Sequence, residues 1–302
     1  MPRSTGELVD LFVLETIEDG LYRGKQPATV MQRVFGGQVL GQSLLAASLT
    51  VDPDRLVHSF HAYFLLPGDP SVPIVYDVDN LRDGRSFSAR RVAARQHGKH
   101  IFYLTASYQG EEPGLSHQDV APADVPPPAE CPPLADSLAG VMRSDVAAAM
   151  ADEFGAMDFR FAGSSAPGGR YHDPAHPAIA RVWMRAGATS GQAAEDPADE
   201  HGIPDGHMLH RCLLAYMSDL TLLHASLVPH LTVRPEDMVR ASLDHAMWFH
   251  RPFRADQWLL YDQVSPSASG ARGLSFGRIY QDGVLVASAV QEGLIRPTVA
   301  LP

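Results

Sequence analysis

The sequence predicts an α+β protein in which an antiparallel sheet packs on a long helix, and that unit is present twice. Three observations carry this. A helix-like run, GGQVLGQSLLAASL (36–49), precedes four extended segments rich in aromatic and β-branched residues, separated by PGD, RDG and HGK turns. Pro67, Tyr76-Asp77 and Gly98 recur as Pro252, Tyr261-Asp262 and Gly283, each 185 residues later. Between the two copies, residues 110–133 carry seven prolines and no hydrophobic periodicity, so they form neither a helix interior nor a central strand.

The elements follow in order. LVHSFHAYFL (56–65), VPIVYDVDNL (72–81), SFSARRVAARQ (86–96) and HIFYLTASYQ (100–109) read as strands, the last two joined at Gln96-His97-Gly98-Lys99 as a hairpin. One helix followed by hairpin-linked strands gives a sheet packed on a central helix. A short Ala-rich helix follows the prolines, and strand text resumes at MDFRFAG and ARVWMRA. HMLHRCLLAYMSDLTLLHASL (207–227) reads as the second module's long helix. Downstream, FYLTASYQG matches LVASAVQEG with a three-residue difference, which aligns Gln109 with Gln291. The expected divisions are a first module at 1–112, a linker with its short helix at 113–153, and a second module at 154–302.

Composition narrows the function. The 302 residues carry a formal net charge of -11, which excludes a general nucleic-acid binder, because such proteins need a basic face to displace counterions. Cys131 and Cys212, the two cysteines, make no CxxC and no disulfide framework, as expected in a reducing compartment. The first twenty residues interrupt their apolar run with Glu15 and Glu18, unlike a signal peptide or membrane span. A soluble cytoplasmic protein is expected.

Asp219 falls on or beside the apolar stripe formed by Leu209, Cys212, Leu213, Tyr216, Leu220 and Leu223. Either the stripe frays there or Asp219 caps a local turn, or a carboxylate faces the core, where neutral donors would make it a candidate general base. Gln291 ends an apolar strand, and its amide can satisfy backbone groups or orient a reactant. Ser242 is an ordinary strand hydroxyl or a third member of a site. His58 and His61 lie on opposite faces of a regular strand and cannot share one metal; they and His245 and His250 read as structural. GLSFG (273–277) fits a nucleophile elbow in letters only, since a hairpin rather than a helix follows it. GGQVLG lacks dinucleotide-binding glycine spacing. RSFSARRVAARQ is either a solvated sheet edge or a docking site for phosphate, and EDPADEHGIPDGH either a solvated loop or a hard-cation site.

Six blocks together, VFGGQVLGQSLLAAS, LVHSFHAYFLLPGDPSVPIVYDV, LRDGRSFSARRVAARQ, YMSDL, LDHAMWFHRPF and DGVLVASAVQEG, resemble the type II acyl-CoA thioesterases, the TesB-like double hot-dog hydrolases. The likeness covers roughly residues 8 to 109 and 180 to 296 and leaves the Pro-rich linker unmatched. It implies a tandem hot-dog fold, each half a long helix wrapped by a curved antiparallel sheet, and hydrolysis of acyl-CoA to free acid and CoA with no metal or organic cofactor. It also implies a homo-oligomer, and a catalytic group in the second module at Asp219, Ser242 and Gln291. Ser242 stands where the family more often has Thr; the hydroxyl is kept and the branching methyl lost. A hot-dog enoyl-CoA hydratase or dehydratase using Asp with His245 or His58, and a non-catalytic acyl-CoA-binding module, are the alternatives.

Overall fold

Two hairpin turns show how closely the halves repeat. His97 (φ 49°) and Gly98 (φ 72°) are both left-handed, as are Asp282 (φ 50°) and Gly283 (φ 77°). Two consecutive positive φ values match the twist of the flanking strands, and both turns close a long antiparallel pair.

The computed structural model describes residues 1–139, 144–187, 203–204, 206–233 and 237–299. The first half comprises α1 (Thr5–Leu11), β1 (Glu15–Glu18), β2 (Leu21–Gly24), α2 (Gly36–Ser48), β3 (Arg55–Phe64), β4 (Ile74–Asp83), β5 (Phe87–Gln96) and β6 (Lys99–Gly110). Two short helices follow, α3 (Leu134–Ala139) and α4 (Ser144–Glu153). The second half comprises β7 (Met157–Ser164), β8 (Ile179–Ala186), α5 (His207–Ser218), β9 (Met238–Ser242), β10 (Asp244–Phe249), β11 (Leu259–Ser269), β12 (Arg272–Gln281) and β13 (Val284–Pro297). The acidic loop text at 188–202 lies outside the described residues.

The strands form one sheet in the order β1-β2-β4-β5-β6-β3-β10-β13-β12-β11-β8-β7, with β9 also on β13. The order is a palindrome about the β3–β10 seam, where Phe60 pairs with Met247. The two long helices pack against each other inside this curved sheet. Gly37 lies on the carbonyl of Tyr216, and a Cβ on Gly41 would come within 2.9 Å of the Cys212 carbonyl. Residue numbers rise along one helix as they fall along the other, so the helices are antiparallel. GGQVLG is therefore a close-packing face: only glycine lets the backbones approach so nearly. Cys212, wholly buried at this contact, has its thiol pushed up to about 12 by burial and is chemically quiet.

The second long helix departs from the sequence reading. α5 ends at Ser218, Asp219 is its C-cap, and Leu222–His230 continues as a 3-10 segment. His207–His230 is apolar and long enough to cross a membrane, but most of it is buried in the core. Gln109 also differs from expectation. Strand register carries the 185-residue repeat through the sheet, so the buried pair Ile101-Phe102 corresponds to Val286-Ala287 and the counterpart of Gln291 is Ala106.

The Pro-rich segment lies across the outside of the second half. Asp119 and Asp124 pair with Arg278 and Arg181 (3.2 and 3.1 Å), and Pro126 O accepts from Trp183 Nε1 (2.8 Å). Both arginines also grip Asp262, buried beneath them (2.7 and 2.9 Å).

Candidate active site

The antiparallel packing of α2 and α5 brings the C-terminal end of one helix to the N-terminal end of the other. Asp219 sits at that junction. Its carboxylate accepts from the Gly37 N–H and lies over Gly36, where no Cβ would fit. An N-terminal helix end has free N–H groups and a positive dipole, both of which attract an anion.

The other two expected residues reach the same carboxylate from the sheet. Gln291 Nε2 donates to Asp219 Oδ1 at 2.6 Å, and Ser242 Oγ donates to the same oxygen at 3.2 Å. Gln291 Nε2 also donates to Ser242 Oγ at 3.0 Å. The strands set these positions: β9 and β10 flank a break at Leu243, and Ser242 pairs with Gly293, two residues beyond Gln291 on β13. Sequence reasoning named all three, and the structure brings all three together.

Burial pushes the Asp219 carboxyl up to about 6, against the three hydrogen bonds that hold it down. The opposing effects leave a carboxylate that is ionised at neutral pH and a stronger base than a surface aspartate. One side of the group is open. A cavity of about 860 Å³ is lined by Asp219 and Ser242 together with Val34, Met150, Leu223 and Arg240. A second, of about 310 Å³, meets it at Gly36 and Ser242 and runs along Phe64, Leu66 and Phe102. Helix α4 walls the larger one, tied to the 29–30 loop because Glu153 accepts from Thr29 Oγ1 (2.6 Å) and the Val30 N–H (3.2 Å).

The remaining candidates separate from this site. His58 Nε2 meets Ser107 Oγ (2.9 Å), His250 Nε2 meets Ser288 Oγ (2.9 Å), and His61 packs edge-on to Trp248. No cluster of three metal-ligating side chains occurs among the described residues. Ser275 of GLSFG is buried mid-strand in β12, so no nucleophile elbow forms. The Arg-rich strand is internally matched: Arg91 pairs with Asp79 (2.8 Å), Arg95 with Asp77 (3.2 Å), and buried Arg90 with Asp83 (2.8 Å). His245, read from sequence as structural or as a partner of Asp in a hydratase, is fully buried with Nδ1 3.9 Å from Asp219 Oδ1.

A long helix wrapped by a curved antiparallel sheet, present twice and fused edge to edge, defines a double hot-dog protein. Comparison with known proteins gives the particular family. A family model for acyl-CoA thioesterase matches residues 180–294, and one for the acyl-CoA thioesterase N-terminal domain matches residues 25–109. Human acyl-coenzyme A thioesterase 8 is 39% identical over 299 residues, covering 94% of this chain and 86% of that protein. Acyl-CoA thioesterase 2 of Haemophilus influenzae is 38% identical, covering 96% of each. The crystal structure of the acyl-CoA thioesterase II TesB2 from Mycobacterium marinum superposes with a TM-score of 0.77 at 45% identity, covering 96% of this chain and 98% of that one. The chain belongs to the acyl-CoA thioesterase family, in its type II branch, and is a thioester hydrolase.

Proposed function

We propose that the enzyme hydrolyses fatty acyl-CoA by direct attack of water, with Asp219 as general base and Ser242 and Gln291 orienting that water. The observation that carries this reading is the Asp219 carboxylate: buried, held by three neutral donors, raised in proton affinity and open to a cavity. Water oxygen bonds to the thioester carbonyl carbon as its proton passes to Asp219. The C–S bond then breaks, and the departing CoA thiolate takes up that proton. Gly37 N–H is committed to Asp219, so the N–H of Gly36, at the same helix end, is the donor suited to the oxyanion.

Two cavities meeting at Ser242 suit a substrate with two arms, an acyl chain on one side of the thioester and pantetheine on the other. Exposed Tyr63 and Leu81 on the first half support assembly into a homo-oligomer, and two buried free thiols support residence in the cytoplasm.

Release of free CoA thiol from acyl-CoAs of increasing chain length, by wild type and Asp219→Asn, tests the reading. The variant should lose ~10²–10⁴ in kcat, the usual contribution of a positioned base. Wild-type turnover by the variant would remove Asp219 from the chemistry.

A further inference from the structure

His245 is wholly buried and takes no part in the mechanism above. Its imidazole stacks on Phe60 (centroids 6.1 Å apart), and Nε2 lies 3.0 Å from Ser218 Oγ. Ser218 has one hydroxyl proton and two close neighbours, Ala215 O at 2.9 Å and this imidazole. A carbonyl oxygen only accepts, so with its hydroxyl donating to Ala215 O, Ser218 accepts from His245 Nε2–H. The proton of a neutral imidazole is thereby fixed on Nε2. Nδ1 is left with a bare lone pair, has no hydrogen-bond partner, and sits 3.9 Å from Asp219 Oδ1. Burial depresses this imidazole to about 3, so it stays neutral at working pH.

We infer that His245 is a positioning residue for the base: its unprotonated Nδ1, 3.9 Å from Oδ1, disfavours the Asp219 carboxylate and favours the carboxylic acid formed when Asp219 takes the proton of water. A lone pair facing an anion repels it, and the same lone pair facing a carboxylic acid attracts it. The interaction therefore strengthens as the reaction proceeds, which is the kind that lowers a barrier. The proton travels from water to Asp219 and on to the CoA sulfur, while His245 only changes what Asp219 feels. The other titratable or charged groups near Asp219 are Tyr261 of β11, whose hydroxyl is spent on Ser218 O (3.4 Å), and His224 and Arg240 on the cavity wall.

This inference rests on Asp219 being the base. It is tested by the pH profile of kcat/KM for wild type, His245→Phe and Ser218→Ala, beside Asp219→Asn. The wild-type acid limb should fall near about 6. His245→Phe deletes the lone pair and keeps an aromatic ring, so the limb should move to lower pH by about one unit and kcat should drop roughly tenfold. Ser218→Ala releases the tautomer with loss of a single oxygen, lets Nδ1–H turn toward Asp219, and should move the limb the same way. The imidazole ¹⁵N spectrum of the wild type should show His245 Nδ1 unprotonated. A limb that stays put or rises in both variants, or a protonated Nδ1, overturns the proposal. Undiminished turnover in Asp219→Asn would instead overturn the assignment of the base beneath it.

Discussion

The two halves share a fold and differ at one helix end. In the first half α2 runs out at Leu49 and Thr50, and the buried Arg90 guanidinium closes it, donating to Thr50 O (2.9 Å) and Thr50 Oγ1 (2.8 Å) while pairing with Asp83. A cation there complements the negative end of the helix dipole. In the second half α5 runs out at Asp219, an anion its own dipole disfavours. Strand register makes Ser275 the counterpart of Arg90, Ser242 that of Val57, Gln291 that of Ala106 and His245 that of Phe60. One half is thus sealed with an arginine and apolar side chains, and the other is opened with small and polar ones. The acid survives because the start of α2 faces it across the helix pair. The sealed half supplies the positive helix end that the open half uses, so neither is a complete site alone.

The largest test of this contrast turns the open half toward the sealed one. Gln291→Ala installs the counterpart residue and removes the amide that holds Asp219 and Ser242 together. It should lower kcat by ~10²–10³, the cost of losing one oriented donor in a buried site, in the same thiol-release assay. Retention of full activity would mean that the amide merely fills space.

Asp219 should also cost stability. Its carboxyl is raised from 3.8 to about 6 in the fold, so the folded protein keeps a proton that the unfolded chain releases. The associated stabilisation is complete below 3.8 and is lost as pH climbs through about 6. Above that range Asp219→Asn should unfold at higher temperature than wild type, by up to ~3 kcal/mol in stability, with the difference vanishing in acid. Thermal melts across pH read this directly, and equal melting at neutral pH would show that the three donors fully offset burial.

A smaller effect is expected in the sealed half. Arg90→Met leaves Thr50 O and Asp83 without their buried partner and should destabilise by ~2 kcal/mol while kcat stays at the wild-type value. Loss of turnover in a stably folded variant would mean that this half contributes more than a helix end.

Much of this was legible in the chain. The repeat appeared in Pro67, Tyr76 and Gly98 because turns and strand starts constrain backbone chemistry locally, and both hairpins formed as read. Asp219, Ser242 and Gln291 were reached through resemblance, since an Asp on an apolar stripe and an amide at a strand end are individually ambiguous. Gln109 misled because matching letters ignored register, and one slip in a strand turns a residue to the other face. The closeness of His245 to Asp219 is not legible in sequence, because a strand's letters do not show which helix end stands beyond its buried face.

The sequence by itself determined the α+β class, the duplication and the helix-then-strands order, because periodicity, turn chemistry and proline placement act over a few residues. Only the tertiary structure decided that α5 stops at Asp219, that the linker lies strapped across the second half, and that GGQVLG is a helix-packing face. It alone put the start of one helix against the end of the other. Those outcomes depend on close approach between segments some 180 residues apart. There, burial and the pairing of helix ends set the charge and reactivity of a carboxylate.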